Sequence, residues 1–133
     1  MLITTRGRYA LRFMIDLAEH QREHGYITTL ELAERQQVSH KYAERLMASL
    51  SRSKFVEAAH GKEGGYRLSN PPEDYRVSDI LSAMNENLAP VECMKCEPNT
   101  CPRAGQCKTL PMWKKLGKVI NDFFDGITLA DLM

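Results

Sequence analysis

The sequence predicts a mainly α fold: a winged helix-turn-helix with a two-stranded wing, followed by a long C-terminal dimerisation helix. Three observations carry this. Two amphipathic segments, LELAERQQ and HKYAERLMASLSR, are separated only by Val38-Ser39, which is the length of a helix-turn-helix joint. Short strand-like runs, FVEAA and YRLS, flank the glycine-rich turn GKEGG, as in a β-hairpin. Near the end of the chain, Leu110, Trp113, Leu116, Ile120, Phe123 and Phe124 recur with helical spacing.

The elements follow in order. Residues 5 to 23 read as a helix, with Tyr9, Phe13 and Leu17 on one i, i+4 row and Ala10, Met14 and Ala18 on the next; His24-Gly25 ends it. Thr28 with Glu31 is a capping box that opens the second helix, which turns Leu32 and Ala33 inward. Ser39 is an N-cap for the third helix, where Tyr42, Leu46 and Leu50 line one face beside Ala43 and Met47. The opposite face shows His40, Lys41, Glu44, Arg45, Ser49 and Arg52. Most amphipathic helices have such a polar face. The hairpin that follows, with His60, Lys62 and Arg67 as its basic tip, gives this one a purpose. In a winged domain the second helix of the motif lies in the major groove and the wing lies along the neighbouring backbone or minor groove. After the joint SNPPEDYRVS, VSDILSAM restarts as a short helix with Ser78 as N-cap and Ile80, Leu81 and Met84 inward. Thr128 with Asp131 caps a final turn.

At 133 residues, 43% hydrophobic and 26% charged, the chain fits one soluble unit. It divides into a DNA-binding domain over 1–70, a linker with a short helix over 71–92, a cysteine-rich loop over 93–108, and a dimerisation helix with its tail over 109–133. Residues 1–67 hold eleven Lys/Arg against eight Asp/Glu, and residues 68–133 hold seven against nine. A mildly basic first half is compatible with DNA binding and does not require it. Arginines at 6, 8 and 12 break any apolar run long enough for a signal peptide or membrane helix. The expectation is a cytoplasmic protein with no membrane partner and reduced thiols. No nucleophile has a recognisable catalytic partner pattern. GKEGG precedes a strand rather than a helix, so it is not a phosphate-binding loop. The four histidines are scattered. The chain is expected not to be an enzyme.

All four cysteines, Cys93, Cys96, Cys101 and Cys107, fall in the stretch CMKCEPNTCPRAGQC. Two prolines, a glycine and no apolar rhythm make it a loop. Crowded reduced thiols there indicate a metal or a redox function rather than a disulfide. Thiolates suit an iron–sulfur cluster or zinc. Zinc is less favoured because structural zinc loops use two CxxC knuckles and this loop has one. Lys95, Arg103 and Lys108 would offset thiolate charge. The apolar stripe of the last helix is too large to leave in water. It either folds back on the first helix of its own chain or packs against a symmetry mate, and helix-turn-helix proteins commonly dimerise to read two half-sites.

In their order and spacing, TTRGRYALRFMIDLA, VSHKYAERLMASL, GKEGGYRLS, VSDILSAM, the cysteine loop, W-x-x-L and NDFFDGITLADL resemble the Rrf-two type of bacterial winged-helix regulators across essentially the whole chain. The resemblance implies a homodimeric transcription factor, a repressor, bound to a double-stranded DNA operator. It also implies a long helix crossing to the partner and three cysteines per subunit holding a 2Fe–2S or 4Fe–4S cluster. Cys101 and Cys107 match the family's five-residue gap; Cys93 and Cys96 each match a first-cysteine spacing of different branches. Where one branch has a fourth-ligand histidine this chain has Leu110, and where another has an acidic residue it has Arg8. A four-cysteine set, with Cys93 and Cys96 as a chelating pair, is the corresponding hypothesis. By the same resemblance and the reading of the polar face, Ser39, His40, Lys41, Glu44 and Arg45 face base edges or adjacent phosphates, Glu44 accepting from a cytosine amino group. His60, Lys62, Gly64 and Gly65 follow the backbone, and Thr5, Arg6 and Tyr9 contact phosphate or support the first helix. Trp113, Leu116, Ile120, Phe123 and Phe124 form the dimer face. Two further alternatives stand beside this: a metal-free thiol-redox or zinc-bound regulator of the same fold, and a winged-helix protein-interaction module.

Overall fold

The computed structural model describes residues 2–21 and 25–133. Helix α1 runs Thr5–His20, α2 Thr29–Gln36 and α3 His40–Arg52. Strands β1 (Val56–Ala59) and β2 (Gly65–Leu68) form an antiparallel hairpin. A 3₁₀ turn at Pro72–Asp74 precedes α4 (Val77–Ala83), and the cysteine segment leads to α5 (Leu110–Asp125) and a last 3₁₀ turn, Ala130–Leu132. Mainly helical, with one two-stranded wing, it is the predicted winged helix-turn-helix.

The core gathers one apolar face from each helix. Phe13, Met14 and Leu17 of α1, Leu32 of α2, Met47 and Leu50 of α3, Ile80 and Leu81 of α4, and Leu129 beyond α5 are fully buried. Each such side chain contributes roughly 1.5–3 kcal/mol by leaving water. The capping box forms as expected: Glu31 N donates to Thr28 Oγ1 at 3.1 Å and Thr28 N donates to Glu31 Oε2 at 2.8 Å. Ser39 Oγ accepts from Tyr42 N at 3.1 Å. Between α2 and α3, Gln37 takes the left-handed conformation (φ 56°) and Val38 N donates to Ala33 O at 3.0 Å, which makes the turn tight. A buried carboxylate fixes α2 against α1. Asp16, 3% exposed, accepts from Arg35 Nη2 at 2.7 Å and Gln36 Nε2 at 2.8 Å.

Four expectations are revised. Helix α1 ends at His20 rather than at residue 23. Gln21 is extended, and its Oε1 accepts from Leu68 N of β2 at 2.8 Å. His24, part of the expected stop, lies outside the described residues. The wing also gains a third partner, because Ile27 N donates to Tyr66 O at 2.8 Å and Tyr66 N to Ile27 O at 2.7 Å. Gly65 makes this approach with φ 147°, and a Cβ there would strike the Ile27 carbonyl. Arg67 is not a free cation at the wing tip. It lies in β2 opposite Glu57, bonded at 2.9 Å, with its guanidinium 4.8 Å from the centre of the Tyr26 ring. Ser78 is not an N-cap either. Arg76 holds that place, and the first amide of α4, Val77 N, donates to Ile127 O at 2.9 Å. A long-range strand contact thus does the work of a capping side chain.

The return of the chain after α5 closes the fold. Besides the Val77–Ile127 bond, Leu129 N donates to Tyr75 O at 2.8 Å. Tyr75 itself is buried, and its hydroxyl donates to Phe55 O at 2.8 Å. The joint after the wing is therefore pinned from both sides. Among the described residues no helix is long and apolar enough to cross a membrane.

Candidate nucleic-acid interface and cysteine loop

Helix α3 is polarised. Ala43, Leu46, Met47 and Leu50 are buried, while Ser39, His40, Lys41, Glu44 and Arg45 are all exposed on its first two turns. His40 Nε2 lies 3.0 Å from Thr29 Oγ1 and 3.5 Å from Glu44 Oε1, so this end of the helix carries a linked set of polar groups. His60 and Lys62 are exposed at the wing tip. Gly64 and Gly65 serve the fold first: a Cβ on Gly64 would meet the Ala59 carbonyl, so the hairpin can close only on glycine. Thr5 and Arg6 are exposed at the start of α1. Tyr9 is half-buried between helices, with its ring edge-on to Phe13 at 6.5 Å and to Tyr42 at 5.9 Å; it holds α1 to α3.

Behind this face lies a contact that the sequence did not signal. Glu86, just past α4, reaches the first turn of α1. Its carboxylate accepts from Thr4 N at 3.2 Å, from Gly7 N at 3.1 Å and from the Thr4 hydroxyl. A carboxylate at this position satisfies otherwise orphaned amides and complements the helix dipole. A Cβ on Gly7 would collide with it. Asn85, in the left-handed conformation (φ 59°), turns the chain out of α4 to aim Glu86 there. The next residue, Asn87, donates to Lys95 O at 3.3 Å, inside the cysteine segment. Adjacent side chains therefore grip the start of α1 and the cysteine loop.

In that loop Cys93 sits in a 3₁₀ turn (Glu92–Met94), half-buried; Cys96 is exposed; Cys101 and Cys107 are half-buried, and all four are free thiols. Cys101 N donates to Asn99 Oδ1 at 2.8 Å, closing an Asx turn. Cys107 Sγ lies 3.3 Å from Thr109 Oγ1. The Thr109 hydroxyl, then the Thr109 and Leu110 amides, hold the Cys107 thiol below the ordinary range; Arg103 adds the least. The expected role of basic neighbours is thus minor at Cys107, and Lys95 is itself bonded to Glu92 at 2.7 Å. As a donor set, four soft thiols in one loop fit an iron–sulfur cluster or zinc. Among the described residues, however, no three His, Cys, Asp or Glu side chains converge on one point, so the loop as folded is not a closed cage.

The loop packs on α5, where Gly117 leaves room for Met94 and Pro90. The apolar residues of α5 fall into two stripes rather than the single face expected. Leu110 is buried and Trp113, Ile120 and Phe124 are half-buried against their own chain. Met112, Leu116, Val119 and Phe123 point outward, exposed by 52, 41, 64 and 60%.

The chain matches, over residues 3–133, the family described as Rrf2, iron-dependent transcriptional regulator. It belongs to the Rrf2 family. Among its relatives, the Rrf2 protein of Nitratidesulfovibrio vulgaris is 38% identical over all of this chain and 87% of its own length. Two solved structures superpose on it. IscR of T. potens has a TM-score of 0.75 and 32% identity, over 99% of this chain and 85% of its own. CymR, the global cysteine regulator of B. subtilis, has a TM-score of 0.78 and 27% identity, over 99% and 95%. As a member of the Rrf2 family the chain is a DNA-binding transcriptional regulator, not an enzyme.

Proposed function

We propose that the protein is a homodimeric repressor whose operator affinity is set by an iron–sulfur cluster in the cysteine loop. The observation that carries this is the placement of all four thiols between α4 and α5, in a loop joined through Asn87 and Glu86 to the start of α1. Cys101 and Cys107 would hold the cluster, with Cys93, Cys96 or both completing the set. A bound cluster would supply a thiolate cross-link across the loop, sensitive to oxygen, nitric oxide and iron shortage. The chain's own residues carry the consequence. Glu86 fixes the N-terminal turn of α1, Tyr9 fixes α1 against α3, and α3 presents Ser39, His40, Lys41, Glu44 and Arg45 to the major groove. His60 and Lys62 follow the adjacent backbone, with Thr5 and Arg6 on the far side. Two recognition helices bind together only when their half-sites lie about one helical turn apart, so small changes in dimer geometry change affinity.

The test is an anaerobic preparation. A brown protein is expected, with visible absorption bands that vanish in Cys101→Ala. A colourless protein with stoichiometric zinc would refute the cluster. One observation favours a second reading, a metal-free thiol switch: the Thr109 hydroxyl bonded to Cys107 favours the reactive thiolate. That reading requires DNA affinity to differ between reduced and oxidised apo-protein.

A further inference from the structure

A second polar cluster lies on the flank of α3. Ser49, 8% exposed, places its Oγ between two guanidinium groups: Arg6 Nη2 of α1 at 3.1 Å and Arg52 Nη2 at 3.0 Å. Its own hydrogen goes to Arg45 O at 3.2 Å. Two cations therefore meet on one neutral oxygen. Among the described residues neither Arg6, Arg45 nor Arg52 is paired with a carboxylate, whereas Arg35 and Arg67 both are. Bringing like charges together without an anion is unfavourable. Each guanidinium also keeps most of its five donors free. A cavity of about 470 Å³ opens between them, lined by these three arginines and Ser49 together with Tyr42, Leu46 and Ala48. Tyr42 lines it with its hydroxyl buried beneath the surface and without a hydrogen-bond partner. Three guanidinium groups around one cavity make a receptor for an anion with several oxygens.

Its position names the anion. Tyr42, Arg45, Ser49 and Arg52 form one row along α3, next to the row of His40, Lys41 and Glu44 and opposite the first turn of α1. When α3 enters a major groove, the sugar–phosphate backbone at the edge of that groove passes along this flank. We infer that Arg6 and Arg52 form a clamp for one backbone phosphate of bound duplex DNA, Ser49 setting the distance between the two guanidinium groups and the Tyr42 ring backing the cavity. The clamp fixes how deeply α3 sits and carries no base preference. It rests on the DNA-binding reading and adds Arg52 to the contact surface, with Ser49 and Tyr42 supporting it from behind.

Titration of a short random-sequence duplex at several salt concentrations tests it, since non-specific binding is carried by phosphates. Arg52→Gln is expected to weaken binding roughly fivefold to tenfold and to make the log Kd against log salt slope shallower by about one per protomer. Ala48→Glu sets a carboxylate in the cavity. It is expected to melt at or above the wild-type temperature yet bind DNA more weakly than the neutral control Ala48→Gln. Unchanged affinity and slope in both Arg52→Gln and Ala48→Glu, with wild type binding normally, would make the cluster purely structural and end the proposal. So would inorganic phosphate raising the melting temperature through Arg52 with no change in the DNA salt slope, which would assign the cavity to a small anion. A wild-type protein that binds no duplex at any salt would remove the DNA-binding reading itself, and the clamp with it.

Discussion

Replacing Glu86 by Gln tests the link between loop and DNA face. The side chain keeps its length, but the negative charge facing the first turn of α1 disappears and one acceptor becomes a donor. Glu86 takes bonds from Thr4 N, Gly7 N and the Thr4 hydroxyl. A carboxylate serving a helix start in this way contributes about 1–2 kcal/mol. Part is recovered, because Thr4 Oγ1 still accepts from Gly7 N, so a loss of about 1–1.5 kcal/mol is expected. In a domain of this size each kcal/mol moves Tm by about 3–5 °C, which gives a fall of roughly 3–7 °C in a thermal melt. The second readout is a double-mutant cycle on DNA affinity. With an operator selected from a random duplex library, Cys101→Ala should change affinity in the wild-type background and change it less in Glu86→Gln. Coupling below about 0.3 kcal/mol, which independent sites also show, would refute the idea that Glu86 relays the state of the loop.

Other outcomes follow from the same geometry. Thr28→Ala should cost about 1 kcal/mol at neutral pH. The Thr28 amide, which the variant keeps, and then the Thr28 hydroxyl hold the Glu31 carboxyl below its usual value, so only the hydroxyl's share of this stability is present above the ordinary carboxylate range and lost as pH falls through the folded value. The gap in Tm between wild type and Thr28→Ala should narrow on acidification. Leu116→Glu, in the outward stripe of α5, should convert the proposed dimer to a monomer in sedimentation equilibrium while leaving helix content intact; a variant that stays dimeric would refute this face as the interface, and a monomeric wild type would refute the dimer. Thr109→Val removes the hydroxyl beside Cys107, and the pH midpoint for alkylation of that thiol should move upward. An unmoved midpoint would deny Thr109 its role.

Much of the fold was legible because its signals are local. Thr28 with Glu31 and Ser39 before α3 are caps written within four residues, and they form as read. Misreadings occur where a distant segment intervenes. Ser78 looked like a cap, but the Ile127 carbonyl takes the Val77 amide, and Ser78 Oγ is left buried without a partner. Arg67 looked like a free wing cation until the hairpin register set it opposite Glu57. Periodicity found the apolar breadth of α5 but not its division, since only packing on α4 and Pro90 decides which stripe turns outward; Met112 and Val119 were missed for that reason. The cysteine loop has no period at all. Residue type named its chemistry, while its tether through Glu86 and Asn87 depends on one left-handed turn at Asn85.

The bonds from Val77 to Ile127 and from Leu129 to Tyr75 have a mechanical consequence. They anchor the far end of α5 beside the start of α4, while Leu110 is buried at its near end. Helix α5 is therefore no free arm but one bar of a closed linkage, with α4 as the bar beside it. Shortening or slackening the cysteine loop cannot swing α5 alone. It must tilt the two bars as a pair, and the hinge nearest that tilt is the grip of Glu86 on α1.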